Sequence, residues 1–404
     1  MDELKPIATG AIAVDENWEI ALQEVLAQLE QSAPAGGMPV DLALLFISSE
    51  YVDHYTRIVR RVRAKTGARI LIGCSGQGIV GMGQEMEDVP SLSLLTLSLP
   101  GAQLKAVRFS QEIVEENEAP EEWRQSLGVA KEDVNAWLIF ADPFQLDCEG
   151  LIDGVAKAYP GLPMLGGLAS YDQTVQRTYI FVNDDVFDEG GVGLAIGGAY
   201  SMLPLVSQGC EPIGEPWTIT HVRDDGLIEK ISNRPAYELL ADTFQGLPTD
   251  MQRRAQSNLL VGLAADEYVE TFRRGNFLIR NLLGVDRRTG ALAIGAYPRV
   301  GQTIQFQMRD AKSADLDLRE LLSQTRVDLG NNQPVAGILC TCNGRGEGMF
   351  AMRDHDAGLI EKELGPIPLA GLFCNGEIGP IGKKPFLHGF TASLALLIKR
   401  DDIS

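Results

Sequence analysis

The amino-acid sequence predicts an α/β protein with mixed sheets, built from three diverged strand–helix–strand–loop–strand units and arranged in two halves. Short apolar runs bounded by Gly and Pro recur along the chain, and such runs are typical of buried strands. Segments with apolar residues at helical spacing lie between successive runs. A strand–helix–strand segment favours a parallel pair with a right-handed crossover, and a returning strand then makes the sheet mixed.

The first predicted copy occupies residues 40–100 and follows an N-terminal helix. Its strands are expected at Leu42–Ile47 and Arg69–Ile72, with an amphipathic helix between them. A loop is predicted at Gly73–Gly76, before the returning strand at Leu92–Leu97.

The same order recurs in residues 135–198 and 335–398. The paired strands repeat at 27 residues in the first two copies and at 31 in the third (Leu44 and Leu71, Leu138 and Leu165, Ile338 and Leu369). If the copies share one ancestor, the strands of Leu44, Leu138 and Ile338 occupy equivalent positions. The glycines expected to coincide at strand ends are Gly73, Gly166 and Gly371.

A long arm separates the second copy from the third. The Pro- and Gly-rich stretch Gly209–Trp217 is the predicted boundary between the two halves. Within the arm we expect a helix at Pro235–Phe244 and a hairpin turning at Asp286–Gly290. The predicted domains are therefore residues 1–220 and 221–404.

Composition excludes several classes of function. The net charge of −20, from 35 basic and 55 acidic residues, argues against nucleic acid and anionic membrane surfaces as partners. The longest uncharged stretch, Gly191–Val206, is shorter than the ~20 residues of a transmembrane helix. We expect a soluble cytoplasmic protein without membrane insertion, whose six cysteines are reduced thiols.

Two sequence patterns resemble a cofactor site and a metal site but lack the surrounding features that such sites generally have. The stretch Gly76–Gly81 matches G-x-G-x-x-G, but the residues after it lack the helix that this nucleotide-binding motif requires. Cys340, Cys342, Cys374 and His388 could supply metal donors, yet structural zinc sites generally use C-x₂₋₄-C pairs. The sequence therefore predicts no cofactor and no metal.

The candidate ligand-binding residues follow the strands of the third copy. Arg345 lies between two glycines, so it either binds an anionic group or forms an ion pair with Glu347 or Glu377. Because parallel strands bring their carboxyl ends to one edge, we expect one cavity to collect the polar side chains there. They are Asn343, Arg345, Asn375, Glu377 and His388, with Arg345 and Glu377 suited to a zwitterion.

A hydrolase remains the alternative. Cys374, His388 and Glu377 contain the ingredients of a nucleophile, a base and an orienting carboxylate. Ser75 lies in G-C-S-G-Q, which departs from the G-x-S-x-G nucleophile motif. A hydroxyl that caps a tight turn explains Ser75 better than catalysis does, and Ser75 is kept as a possible ligand contact.

Several motifs together resemble the FIST sensory domain family, in both its N- and C-terminal halves. They are L-I-G-C-S-G-Q-G at 71–78, Q-G-C-E-P-I-G-E-P at 208–216, C-N-G-R-G at 342–346, F-C-N-G-E-I-G-P at 373–380 and L-H-G-F-T-A-S at 387–393. The resemblance implies a stand-alone signal transduction protein that binds a small molecule, with amino acids and related metabolites as the suggested class. Its output would be a partner protein or a self-contained activity. The alternatives are a cysteine- or serine-dependent hydrolase of a small acyl or amide substrate, and a protein-interaction scaffold with a vestigial pocket.

Overall fold

The computed structural model describes residues 5–32, 38–171 and 176–400. The chain divides into two compact units: unit 1 comprises Met1–Val206 and Arg319–Ser404, and unit 2 comprises Ser207–Leu318. Within the described ranges, no helix is long and apolar enough to cross a bilayer.

The helices are numbered along the chain. They are α1 (Trp18–Ser32), α2 (Tyr55–Thr66), α3 (Gln111–Glu116), α4 (Pro120–Leu127), α5 (Cys148–Ala158), α6 (Ala236–Gln245), α7 (Thr249–Ala255), α8 (Ala311–Leu329), α9 (Glu347–Phe350) and α10 (His355–Leu364).

The strands before the arm are β1 (Ile7–Val14), β2 (Leu42–Ser48), β3 (Ile70–Gly76), β4 (Gly78–Gly81), β5 (Gln84–Glu87), β6 (Ser91–Ser98), β7 (Ala102–Phe109), β8 (Ala136–Ala141), β9 (Met164–Leu168), β10 (Ile180–Val182), β11 (Asp185–Phe187), β12 (Gly191–Gly198) and β13 (Tyr200–Ser207). Those of the arm are β14 (Cys210–Val222), β15 (Ile228–Ile231), β16 (Arg234–Pro235), β17 (Leu259–Ala264), β18 (Phe277–Val285), β19 (Leu292–Ile294) and β20 (Thr303–Arg309). The last strands are β21 (Ala336–Cys342), β22 (Leu369–Cys374), β23 (Glu377–Ile381), β24 (Lys384–His388) and β25 (Ala392–Lys399).

Unit 1 contains three six-stranded mixed sheets with one common strand order. The orders are β1-β6-β2-β3-β10-β11, β7-β12-β8-β9-β23-β24 and β13-β25-β21-β22-β4-β5. In each sheet the two strands that flank a helix pair in parallel, and the returning strand pairs antiparallel with the first of them. The strands of Leu44, Leu138 and Ile338 therefore take equivalent positions, which confirms the prediction of three copies.

The last two strands of each sheet come from a different copy. Hairpin β4–β5 of the first copy pairs with β22 of the third, and hairpin β23–β24 of the third pairs with β9 of the second. Hairpin β10–β11 of the second copy pairs with β3 of the first, which closes the cycle. Each copy therefore completes one neighbouring sheet and is itself completed by another copy.

The three predicted glycines coincide in this arrangement. Gly73 is paired with Leu45, Gly166 with Ile139 and Gly371 with Leu339. A Cβ atom at these glycines would lie 1.8, 1.8 and 1.9 Å from the carbonyl oxygens of those partners, so the strands approach too closely for a side chain. The glycines lie inside β3, β9 and β22, not at strand ends. The loop predicted at Gly73–Gly76 is wrong because those residues are a buried part of β3.

One hydrophobic core joins all three sheets. It contains buried residues from the central strands of each copy, including Phe46, Phe140 and Leu372. The rings of Phe46 and Phe140 meet edge to face with centroids 5.2 Å apart. The helices α1 and α2 cover the outer face of the first sheet, and α4 and α5 that of the second.

Unit 2 is a seven-stranded antiparallel sheet in the order β14-β20-β17-β18-β19-β15-β16. The helix predicted at Pro235–Phe244 is present as α6, and the turn predicted at Asp286–Gly290 joins β18 to β19. Its core contains buried side chains from the sheet and from α6 and α7. The stretch Gly209–Trp217 forms most of the first part of β14.

A methyl group at the shared glycine position tests the close approach of the paired strands. We expect Gly371→Ala to lower the free energy of unfolding by about 3 kcal/mol, at the upper end of the range for overpacked cores. Urea unfolding of Gly371→Ala and Gly348→Ala makes the measurement, because a Cβ atom at Gly348 would meet no atom within 4 Å. Equal unfolding midpoints for the two variants would contradict the close approach of β22 to β21 at Gly371.

Candidate functional site

A cavity of about 360 Å³ lies in unit 1, between the first and third copies. One wall comes from the hairpin β4–β5 and its flanks, and the other from the segment that follows β21. The lining residues are Gln77, Gly78, Glu87, Asp88, Asn343, Gly344, Arg345, Gly348, Met349 and Phe373. The cavity therefore exists only because the hairpin of one copy completes the sheet of another.

The N-G-R-G sequence after β21 shapes the second wall. The backbone N–H of Arg345 donates to the carbonyl of Cys342 at 2.8 Å, which closes a tight turn. Gly346 has a φ of 79°, and a Cβ atom there would lie 2.3 Å from Oε2 of Glu87. The glycine thus permits both the left-handed backbone and the close passage of the loop against the hairpin carboxylate.

Arg345 is buried in a two-point ion pair. Its Nε donates to Oδ2 of Asp356 at 2.6 Å and its Nη2 to Oδ1 at 2.8 Å. Asp356, in the first turn of α10, also accepts from Thr341 Oγ1 and contacts His355 Nδ1. An ion pair of Arg345 is therefore present, and the partner that the structure shows is Asp356.

The electrostatics of this pair are those of a buried carboxylate matched by a buried cation. Burial alone raises the pKa of Asp356, but the charge and hydrogen bonds of Arg345, with help from His355, hold that pKa well below its usual range. The ring of Phe350 stacks on His355 at 3.4 Å and lies under the Arg345 guanidinium. The pair therefore fixes the base of the cavity wall onto α10.

Two carboxylates of β5 hold the hairpin to the same segment. Glu85 accepts the N–H of Ala357 at 2.8 Å, and its own N–H donates to Asp354 at 2.6 Å. Glu87 accepts the N–H of Glu347 at 2.8 Å. We call this set of contacts the carboxylate clamp. It joins residues of the first copy to residues more than 250 positions away in the third.

Both clamp carboxylates are shifted towards the neutral form. Burial, and then the charge of Asp356, raise the pKa of Glu85 to about 8, against smaller opposing effects of the Ala357 N–H and Arg345. Burial, followed by the charges of Asp88, Glu347 and Asp354, raises the pKa of Glu87 despite its hydrogen bond from Glu347. The cavity wall near the hairpin is thus an environment that disfavours further negative charge.

Two carboxamide oxygens at the cavity are left without a partner. Oε1 of Gln77 and Oδ1 of Asn343 are buried and make no hydrogen bond within the described part of the chain. The other end of the Asn343 carboxamide donates to Oδ1 of Asn375 at 2.9 Å, which fixes its orientation. A buried polar atom without a partner costs about 1–3 kcal/mol.

Of the six predicted ligand-binding residues, Asn343 and Arg345 line the cavity. Asn375 supports the wall from outside: it is exposed, holds Asn343, and donates from Nδ2 to the carbonyl of Ala169 at 3.1 Å. Glu377, His388 and Ser75 are not among the described residues that line it.

Glu377 and His388 face each other across β23 and β24, in the sheet of the second copy. Glu377 is buried and accepts from the N–H and the hydroxyl of Thr391, at 3.0 and 2.6 Å. His388 Nε2 lies 3.0 Å from the carbonyl of Gly379. The chain changes sheets immediately after β22, and this carries both side chains away from the loop of Arg345.

Ser75 is also a buried part of the framework. Its hydroxyl donates to the carbonyl of Ser170 at 2.9 Å and accepts the N–H of Tyr179 at 3.0 Å. The Ser170 hydroxyl in turn donates to the carbonyl of Phe373 and accepts the N–H of Gln77. These bonds join the second strands of all three copies near the cavity.

The candidate nucleophile Cys374 has a thiol whose environment opposes the thiolate form. All six cysteines are free. Burial, followed by the neighbouring Cys340, raises the pKa of Cys374 well above that of an ordinary thiol, whereas catalytic cysteines have lowered values. Among the described residues, no group of three or more His, Cys, Asp or Glu side chains is placed to hold a metal ion.

Sequence reasoning missed six residues at the cavity or supporting it: Gln77, Glu85, Glu87 and Asp88 from the hairpin and its flanks, Met349 from α9 and Asp356 from α10. The stretch after Gly81 was interpreted only as a segment that is not helical. Its alternation and the Met82-Gly83 turn, with φ of 49° and 76°, are the hairpin signal that could have placed Glu85 and Glu87 on a strand.

Removing the guanidinium tests the buried ion pair. We expect Arg345→Ala to lower the free energy of unfolding by about 3–5 kcal/mol, because Asp356 is left as a buried unpaired charge. Arg353→Ala is the control, since the Arg353–Glu347 pair is exposed, and we expect a change below about 1 kcal/mol. If chemical denaturation finds the two variants equally stable, the ion pair does not hold the wall.

The pH dependence of stability tests Glu85. The pKa of Glu85 is raised in the folded protein. Its contribution to the free energy of unfolding is therefore fully present below pH 4.5 and is lost as the pH rises through about 8. Glu85→Gln removes this titration next to Asp356, Asp354, Glu87 and Arg345. We expect the free energy of unfolding of the wild type to fall relative to Glu85→Gln across this range, by up to about 1.4 kcal/mol per unit of pKa difference. Parallel profiles for the two proteins would refute the assignment.

Comparison with known proteins gives relatives along most of the chain. An uncharacterized protein of Mycobacterium tuberculosis is 38% identical over 364 residues, which cover 90% of this chain and 92% of that protein. An uncharacterized protein of Mycobacterium bovis is 36% identical with the same coverage.

Among solved structures, cyanuric acid hydrolase from A. caulinodans aligns with a TM-score of 0.37 and 9% identity, over 98% of this chain and 100% of that one. A second cyanuric acid hydrolase structure aligns with a TM-score of 0.32 and 10% identity, with the same coverage.

The family comparison is consistent with the motifs and covers both halves of the chain. The FIST N domain matches residues 41–234, which contain the first two copies. The FIST C domain matches residues 236–380, which contain most of the third copy and its cavity loop. The chain therefore belongs to the FIST family, a family of sensory and signal transduction domains.

Proposed function

We propose that this protein is a cytoplasmic sensor whose small-molecule ligand, an amino acid or related metabolite, binds in the cavity between the first and third copies. The observation that carries the proposal is the origin of the two walls. One wall is a hairpin from residues 78–87 and the other is the loop 343–349. A ligand there contacts two parts of the chain that are joined by the pairing of β4 with β22 and by the carboxylate clamp.

Such a ligand would report its presence by stabilising this junction. A ligand shifts an equilibrium only by its different affinity for the two states. In the closed state the hairpin and the loop both contact the ligand. In an open state, with the clamp bonds of Glu85 and Glu87 broken, one of these walls is lost. The ligand therefore favours the closed state, and a partner protein that distinguishes the two states would receive the signal.

The candidate residues divide into two roles under this proposal. Asn343 contacts the ligand directly, and Arg345 shapes the wall through its ion pair with Asp356. Asn375 and Ser75 hold segments next to the cavity, whereas Glu377 and His388 lie in the sheet of the second copy. We keep residues 1–220 and 221–404 as a proposal for the domain organisation, close to the extents of the two FIST domains.

The hydrolase alternative has less support from the geometry. It would require a thiolate at Cys374, and burial opposes that form of the side chain. Ser75 uses its hydroxyl to join backbone groups of two copies. A scaffold with a vestigial pocket would supply no hydrogen-bond donor for the unpartnered oxygens of Gln77 and Asn343.

A thermal-shift screen of amino acids and related metabolites tests the sensor proposal. Ligand at 100 times its dissociation constant adds about 2.7 kcal/mol to the free energy of unfolding, which is readily measured as a higher melting temperature. We expect Asn343→Ala to abolish the shift. Asn331→Ala, at an exposed turn of the same copy, is the matched control and should keep it. Equal shifts in the two variants would place the ligand elsewhere, and turnover of simple esters or amides would favour the hydrolase.

A further inference from the structure

We infer that the ligand is a small organic cation, an amine or a guanidine, whose charge is bound by Glu87 and Asp88. The inference rests on the proposed function, since it concerns the occupant of the same cavity. It replaces the expectation of a zwitterion held between Arg345 and Glu377.

The charge of the lining is the first argument. Glu87 and Asp88 contribute two carboxylates from the end of the hairpin. Among the described lining residues the single cation is Arg345, and its charge is matched by Asp356 directly behind it. The cavity therefore carries an excess of negative charge, in a protein whose net charge is −20. A positively charged occupant is favoured and an anionic one is opposed.

The geometry of Arg345 is the second argument. A guanidinium binds a carboxylate best through two parallel N–H groups on one edge. The edge formed by Nε and Nη2 is occupied by the two oxygens of Asp356, at 2.6 and 2.8 Å. A ligand carboxylate that used this edge would have to displace a buried partner and leave Asp356 uncompensated. Arg345 is thus a structural part of the wall, held there by Asp356.

The unpartnered oxygens are the third argument. Gln77 and Asn343 lie on opposite walls, and each has a buried carboxamide oxygen without a hydrogen bond in the described structure. Oxygen atoms of this kind accept hydrogen bonds and cannot donate them. An ammonium or guanidinium group has several N–H donors and no acceptor, so it complements these oxygens and the two carboxylates together.

The remaining lining accommodates the carbon chain of such a ligand. Met349 and Phe373 supply apolar surface, and the glycines at 78, 344 and 348 leave room around it. A volume of about 360 Å³ lies within the range of small-molecule sites. A compact amine with a short hydrocarbon stem fits both the size and the composition.

Isothermal titration of the full chain with matched small molecules tests the inference. Agmatine and arginine share the guanidine, citrulline replaces it with a neutral urea of nearly the same shape, and glutamate carries a second carboxylate. We expect agmatine to bind at least as tightly as arginine, with citrulline and glutamate at least tenfold weaker, because the cavity binds the cation and not the carboxylate.

Variants at the hairpin connect the binding to the two carboxylates. We expect Asp88→Asn and Glu87→Gln each to weaken agmatine binding about tenfold, which corresponds to about 1.4 kcal/mol. Asp88 has a φ of 54°, a conformation that asparagine tolerates well, so this variant should fold normally. Asp185→Asn is the matched control, because Asp185 is exposed on the equivalent hairpin of the second copy. It should leave the affinity unchanged.

The outcomes separate the inference from the proposal on which it rests. If neutral or anionic metabolites bind in a manner that depends on Asn343 while agmatine, arginine and putrescine do not, the sensor proposal stands and the cation inference fails. Stabilisation by Ca²⁺ alone, without any effect of the amines, also overturns the inference. If no metabolite of any charge binds and Asn343→Ala changes nothing, the proposed function itself fails.

Discussion

Backbone pairing between copies is the constraint on which the rest of unit 1 depends. The outer edges of β3, β9 and β22 each find their hydrogen-bond partners in a hairpin from another copy. An unpaired edge of a buried strand would leave N–H and C=O groups without partners, so no copy forms its complete sheet alone. The same pairing brings Glu85 and Glu87 against the segment 347–357 of the third copy, and thereby creates both the carboxylate clamp and the cavity.

The central strands and helices could be predicted from the sequence because their burial is encoded locally. Strands buried on both faces, such as Leu42–Ser48 and Leu369–Cys374, are continuous apolar runs. The partner of a hairpin is not encoded in this way, since alternation identifies a strand without showing which edge it joins. For that reason Glu377 and His388 were expected beside Arg345, whereas β23 carries them into the sheet of the second copy. The buried partner Asp356 was missed because a carboxylate in the first turn of a helix is an ordinary surface feature.

The three copies are alike in their strands and differ in the loops that follow them. By the register of Leu45, Ile139 and Leu339, the position of Arg345 corresponds to Tyr51 and Gln145 in the other copies. Tyr51 is buried in the outer core of the first copy, and its hydroxyl donates to the carbonyl of Asp15. The third copy instead has an arginine flanked by glycines, neutralised by a carboxylate on α10. This local departure from the repeat, and not the repeat itself, supplies the polar wall of the cavity.

The cyclic exchange of hairpins also gives unit 1 the properties of a closed ring. In a linear array of repeats, a terminal repeat can peel away while its neighbours remain folded. Here each copy is joined to the other two by separate strand pairings, one through the hairpin that it provides and one through the hairpin that it receives. A single cut in the backbone between copies leaves both strand pairings of every copy in place, so the fragments stay associated. Resistance to fraying from an end is therefore a property of the topology, independent of the strength of any single contact.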